Sequence, residues 1–96
     1  MAEQERSNEY FLSLLFSLSA AAMQQMGKLS NPMTNKIEKN LEQAKISIDI
    51  IEMLVEKTRG NLTPEENKLI TSTLSDLQLN FVDELKKDSE MERKAN

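Results

Sequence analysis

The amino-acid sequence predicts an all-α fold: an N-terminal apolar helix followed by a long antiparallel αα-hairpin, assembling as a helical bundle. Three observations carry this. Apolar residues recur at alternating intervals of four and three, as in Ile37, Leu41, Ala44, Ile48, Ile51 and Val55, the spacing of one helix face. The chain has only two Gly and two Pro, and all four fall where loops or helix ends are expected. The stretch Glu56–Glu66 reads as a helix stop followed at once by a helix start.

Taken in order, the elements form one domain over residues 1–96. Residues 1–6 are polar and expected to fray. Helix 1 is expected over about 8–26, capped by Ser7 or Asn8 and ended by Gly27. Phe11, Leu15, Leu18 and Ala22 make one apolar row, and Leu12, Phe16 and Met23 lie beside it. Leu14 and Ala21 widen the face, and Ser13, Ser17, Ala20 and Ala21 add a strip of small residues. A helix apolar most of the way round asks to be covered on several sides. Two further helices of a 96-residue monomer leave it under-covered, so a homo-oligomer is expected, a dimer or a tetramer.

Residues 27–34 form a linker in which Pro32 biases Asn31 toward extended backbone. Helix 2 is expected over about 36–59, capped by Thr34 or Asn35, with Glu38 at the capping-box spacing from Asn35. Ile46, Ile50, Met53 and Leu54 make a second apolar row on its C-terminal half. At the corner, Lys57 and Arg59 suit the negative end of the helix dipole, with Glu56 at pairing distance from Arg59. Gly60 suits the left-handed position beyond a helix end. Thr63 suits the N-cap, Pro64 the first helical position, and Glu66 the return contact of a capping box. Helix 3 is expected over about 64–87, matching helix 2 in length, with Ile70, Leu74, Leu77, Phe81 and Leu85 as its main row. Residues 88–96 are expected to be a polar tail.

Composition narrows the chemistry. With 12 basic and 16 acidic residues the net charge is −4, and no basic stripe suggests nucleic-acid binding. There is no Cys, hence no disulfide and no thiolate site, and no His, which removes the commonest general base and metal ligand. The apolar run Tyr10–Met23 is 14 residues long and interrupted by serines, short of the roughly 20 needed to span a bilayer. It is preceded by Glu3, Glu5 and Glu9 against Arg6 alone, opposite in charge to a secretory leader. A cytoplasmic protein without stable membrane insertion is expected.

Asp49, Glu52 and Glu56 lie at i, i+3 and i+7 on one side of helix 2. Such carboxylates can hold a hard cation, but the spacing with Lys45 and Arg59 favours a solvated, ion-paired face. The serines have no His to activate them, and the two isolated glycines make no phosphate loop. No catalytic residue, metal site or cofactor is therefore expected. The residues expected to form an oligomer or partner interface are Phe11, Leu14, Leu15, Leu18, Ala22, Ile50, Met53 and Leu54.

The stretch Met53-Leu54-Val55-Glu56-Lys57-Thr58-Arg59-Gly60-Asn61-Leu62-Thr63-Pro64-Glu65-Glu66 resembles the DUF1844 family of small bacterial helical proteins of unknown function. Further points of likeness are Phe16-Ser17, Gly27, Pro32, Asn40-Leu41, Ala44, Ile48-Asp49, Leu74, Leu77 and Phe81-Val82, so the likeness covers about residues 10–85. Gln78 departs from it, standing where a basic residue is expected. The resemblance implies a small intracellular protein and no activity. The function expected is a non-enzymatic assembly or adaptor role. A chaperone-like binder of a partner's amphipathic helix is the alternative, and a carboxylate-based enzyme ranks last.

Overall fold

The computed structural model describes residues 2–95, with side-chain surroundings for residues 8–94. Among the described residues it contains three helices and no named strand: α1 (Ala2–Gln25), α2 (Leu41–Lys57) and α3 (Pro64–Ala95). The chain is all-α, as its apolar periodicity predicts. α1 packs chiefly on α2, α2 on α3, and α1 only lightly on α3. Successive helices are antiparallel, so α1 and α3 run the same way.

The helix limits differ from the expected ones, each for a local reason. α1 is already helical at Ala2, well before the expected start. Residues 2–9 contain no Gly or Pro, so a helix nucleated in the apolar run extends back through them. Its opening turns are polar, so the apolar part of α1 begins only at Tyr10. α1 closes in a Schellman motif, with Gly27 at φ 83°, Gly27 N–H donating to Gln24 O and Lys28 N–H to Met23 O.

α2 begins at Leu41, five positions later than expected, and its N-cap is Asn40, whose Oδ1 accepts Gln43 N–H at 3.1 Å. Neither Thr34 nor Asn35 caps it. Asn31 instead closes a turn, its Oδ1 accepting Met33 N–H at 2.9 Å and its backbone bridging to Lys36. Asn35 takes a positive φ of 57°, which Asn tolerates and a helix does not. Glu38 bonds the Thr34 hydroxyl at 2.6 Å rather than serving a cap. Ile37, expected in the core row, is therefore outside the helix and exposed.

α2 and α3 are unequal, at 17 and 32 residues. α3 continues past the expected end at Lys87 to Ala95, and Asn96 lies outside the described residues. No Gly or Pro follows Pro64, so nothing stops the helix where its apolar row ends. Lys87 pairs with Asp83 and Glu84 one turn back, and Arg93 and Lys94 sit at the favourable end of the dipole.

At the corner the capping box is formed in both directions. Thr63 N–H donates to Glu66 Oε1 at 2.9 Å, and Glu66 N–H to Thr63 Oγ1 at 3.2 Å. Gly60 takes φ 83°, and Arg59 pairs with Glu56 at 2.7 Å. Thr63→Ala is expected to cost about 1 kcal/mol, read as a lower urea midpoint with an unchanged slope; an unchanged midpoint would show the box to be idle.

The core is small. Leu15, Ala22 and Met26 of α1 and its end meet Ala44, Ile48 and Ile51 of α2 and Ile70 and Leu77 of α3. Ser47, also buried, holds α2 to α1, with its Oγ 2.6 Å from the Gln25 side-chain amide. Leu85, expected in the core row of α3, is exposed, and the buried residue at that level is Glu84.

Candidate functional site: an apolar groove and a lysine clamp

The light packing of α1 on α3 leaves a groove between them. At its centre is an opening of about 530 Å³, walled on one side by Leu12, Ser13, Phe16 and Ser19 and on the other by Leu69 and Thr73. The groove continues past Met23 toward Asp76, Leu77 and Asn80. At its other end it reaches Asn8, Thr63, Glu65 and Glu66. The geometry follows from the helical period. Leu12, Phe16, Ser19 and Met23 lie one step round α1 from the core row of Leu15, Ala22 and Met26. Phe16 is 76% exposed and Leu12 42%. Residues 10–26 contribute no charged side chain to these walls.

Leu14 of α1 and Ile46, Ile50 and Met53 of α2 are also exposed.

The expected interface residues separate accordingly. Leu15 and Ala22 belong to the core of the chain, at 3% and 0% exposure, because the α2 seam closes over that face of α1. They offer almost no free surface, although Leu15 underlies the groove. Phe11, Leu18 and Leu54 are partly buried against the same core. Leu14, Ile50 and Met53 remain exposed. Asp49, Glu52 and Glu56 are all exposed, Asp49 pairing with Lys45 at 3.0 Å and Glu56 with Arg59. Among the described residues no group of His, Cys, Asp or Glu is placed to hold a metal ion, and no helix is long and apolar enough to cross a membrane.

The groove itself was not among the expected sites. Its signal was the adjoining row of Leu12, Phe16 and Met23, but the sequence does not say on which side of that row α3 lies.

A second unforeseen feature closes the far end of the molecule. Glu84, with 9% of its side chain exposed, accepts Lys28 Nζ at 2.7 Å and Lys39 Nζ at 2.9 Å. Lys28 also reaches Asp83, and Lys39 reaches Asp88 at 2.6 Å. Both lysines come from the α1–α2 loop, so this clamp ties the loop to α3. Hydrogen bonds from Lys28 and Lys39, against a desolvation cost, hold the Glu84 carboxyl down at about 2. Lys28 is raised, first by Glu84 and then by Asp83, and Lys39 by Asp88 and Glu84. Lys28 and Lys39 lie far from α3 in sequence, so no local spacing marks the clamp.

The model of the domain of unknown function DUF1844 matches residues 9–83, which takes in most of α1, the loop, α2 and the first part of α3. The chain belongs to the DUF1844 family. No curated protein and no solved structure matches it. The groove, apart from Asn8 at its end, and Lys28, Lys39 and Asp83 of the clamp lie inside the DUF1844 segment; Glu84 and Asp88 fall just beyond its end.

Proposed function

We propose that this DUF1844 protein is a non-enzymatic assembly or adaptor protein of the cytoplasm that acts through self-association. The observation that carries the reading is uncovered surface. A compact monomer of 11.0 kDa exposes about 5,600 Å², whereas this chain exposes 7239 Å². The difference, about 1,600 Å², exceeds the roughly 800 Å² that each partner gives up in a standard interface. Part of it comes from the elongated shape, 59 × 28 × 16 Å. The remainder includes large apolar side chains, Phe16 and Tyr10 at 76% and 70% exposure among them. Large apolar side chains left exposed in this way, Phe16 together with Leu12 and Leu69 around one opening, favour an interaction site.

Sedimentation of the purified protein over a concentration series tests this. A dimer or tetramer dissociating on dilution is the expected result, and a monomer at every concentration would overturn it. The groove favours one competing reading, a chaperone-like binder of a partner's amphipathic helix. That reading requires a monomer that purifies with a stoichiometric protein partner.

A further inference from the structure

We propose that the C-terminal half of α3, residues 78–95, is a latch held on the α1–α2 loop by charge, and that it opens separately from the rest of the fold when ionic strength rises. This does not depend on the self-association reading above.

Buried side chains are unevenly placed along the chain. Ile48, Ile51, Ile70 and Leu77 join α2 to the first part of α3. At the other pole no residue from 27 to 40 is buried, and Leu29, Met33 and Ile37 of the loop are exposed. On α3 the last buried apolar residue is Leu77. Among the described residues beyond it only Glu84 is buried, and Phe81 is partly so. The other large apolar side chains of this half, Leu79, Val82, Leu85 and Met91, are exposed. Residues 78–95 are therefore docked chiefly by the clamp, in which Lys28 meets Asp83 and Glu84, and Lys39 meets Glu84 and Asp88.

The lysines are mounted on the fixed side. Lys28 N–H bonds Met23 O at the end of α1, and Asn40 N–H, next to Lys39, bonds Gln25 O at 2.7 Å. Lys39 also packs closely on Gly27: its Cβ and Cγ are 3.4 Å from where a Cβ of Gly27 would stand. The two ends of the loop thus lie side by side, and Glu84 meets both. Opening at the clamp parts α3 from the loop and leaves these junctions intact.

Salt acts on the two halves of α3 differently. Asp83 and Asp88 are about half exposed, and both lysines keep contact with water, so ions reach the pairs. The screening length falls from about 30 Å at 0.01 M salt to about 3 Å at 1 M. That is the scale of the clamp distances themselves, 2.6–3.2 Å. Apolar burial, which holds residues 64–77, has no charge to screen. Once undocked, residues 78–95 lose the packing that supplies most of a helix's stability in a protein, and their turns unwind.

Amide hydrogen exchange at neutral pH in 0.01 M and 1 M sodium chloride tests this. Amides of residues 81–87 are expected to exchange faster at 1 M, on the order of fivefold given the modest worth of each partly exposed pair. Amides of residues 48–54 and 70–77 should change little. Glu84→Gln is expected to raise exchange of residues 81–87 already at 0.01 M and to shrink the salt response. Asp88→Asn, at an exposed carboxylate that meets Lys39 alone, should do the same to a smaller degree with the core amides unmoved. A common exchange rate for both sets of amides at both salt concentrations would overturn the separate opening. Residues 81–87 exchanging faster than the core but without a salt response would overturn the control by charge.

Discussion

Ile51→Ala is expected to lower the folding free energy by about 2–5 kcal/mol, from lost burial plus the cavity left behind. Ile51 is fully buried where α2 faces the other two helices. A domain of about this size loses roughly 4–8 °C in Tm per kcal/mol, so a drop of about 10 °C or more should appear by calorimetry. Because the buried core consists, among the described residues, of eight apolar ones, few neighbours can shift to fill the space. The neighbouring Ile50 is the control. It is 37% exposed, and Ile50→Ala is expected to cost about 1 kcal/mol. Equal losses at the two positions would show that α2 is rotated from the orientation described.

The second large effect is expected at Glu84. Glu84→Gln keeps the shape but removes the charge that meets Lys28 and Lys39, and should cost about 1–3 kcal/mol near neutral pH. The range stays low because both lysines retain some contact with water. The sign of the pH dependence follows from the depressed carboxyl. Its folded value is about 2 against an ordinary 4.5. The contribution is thus fully present above about 4.5 and is lost as pH falls toward 2. On the alkaline side Lys28 and Lys39 are raised from 10.5, so their contribution is complete below that value and lost as pH rises through their folded values. Urea midpoints measured from neutral to acidic pH should converge for wild type and Glu84→Gln as pH approaches 2. Parallel curves would show that Glu84 does not carry the acid sensitivity.

These two sites differ in how far the sequence discloses them. Ile51 stands in a row with Ala44, Ile48 and Val55, and the helical period alone places it on the α2 face that is buried. Glu84 stands one position before Leu85, which continues the apolar row of Ile70, Leu77 and Phe81 and would be the natural core choice. In the fold the buried stripe keeps the seven-residue spacing of Ile70 and Leu77, and that spacing falls on Glu84. At the level of residue 84 the facing element is a loop carrying two lysines rather than an apolar helix face, so the carboxylate is the residue drawn inward and Leu85 is left exposed.

The interface residues show the same division. Leu15 and Ala22 were expected to face a partner because α1 is apolar on several sides. Only packing against α2 reveals that their side is already occupied, while Leu12 and Phe16, one step round the helix, border the open groove.

The sequence by itself determined that this protein is three helices, that two of them form a hairpin turned at Gly60 and Thr63, and that it carries the DUF1844 pattern. Those features rest on interactions within a few residues: helical period, capping and dipole chemistry. Where α2 starts and how far α3 runs also rest on local chemistry, the Asn40 cap and the lack of Gly or Pro after Pro64; the tertiary structure alone decided which flank of α1 stays open and which carboxylate is buried. Each of those depends on groups tens of residues apart meeting in space, such as Gln25 with Ser47 or Lys28 with Glu84. No local spacing encodes such a meeting.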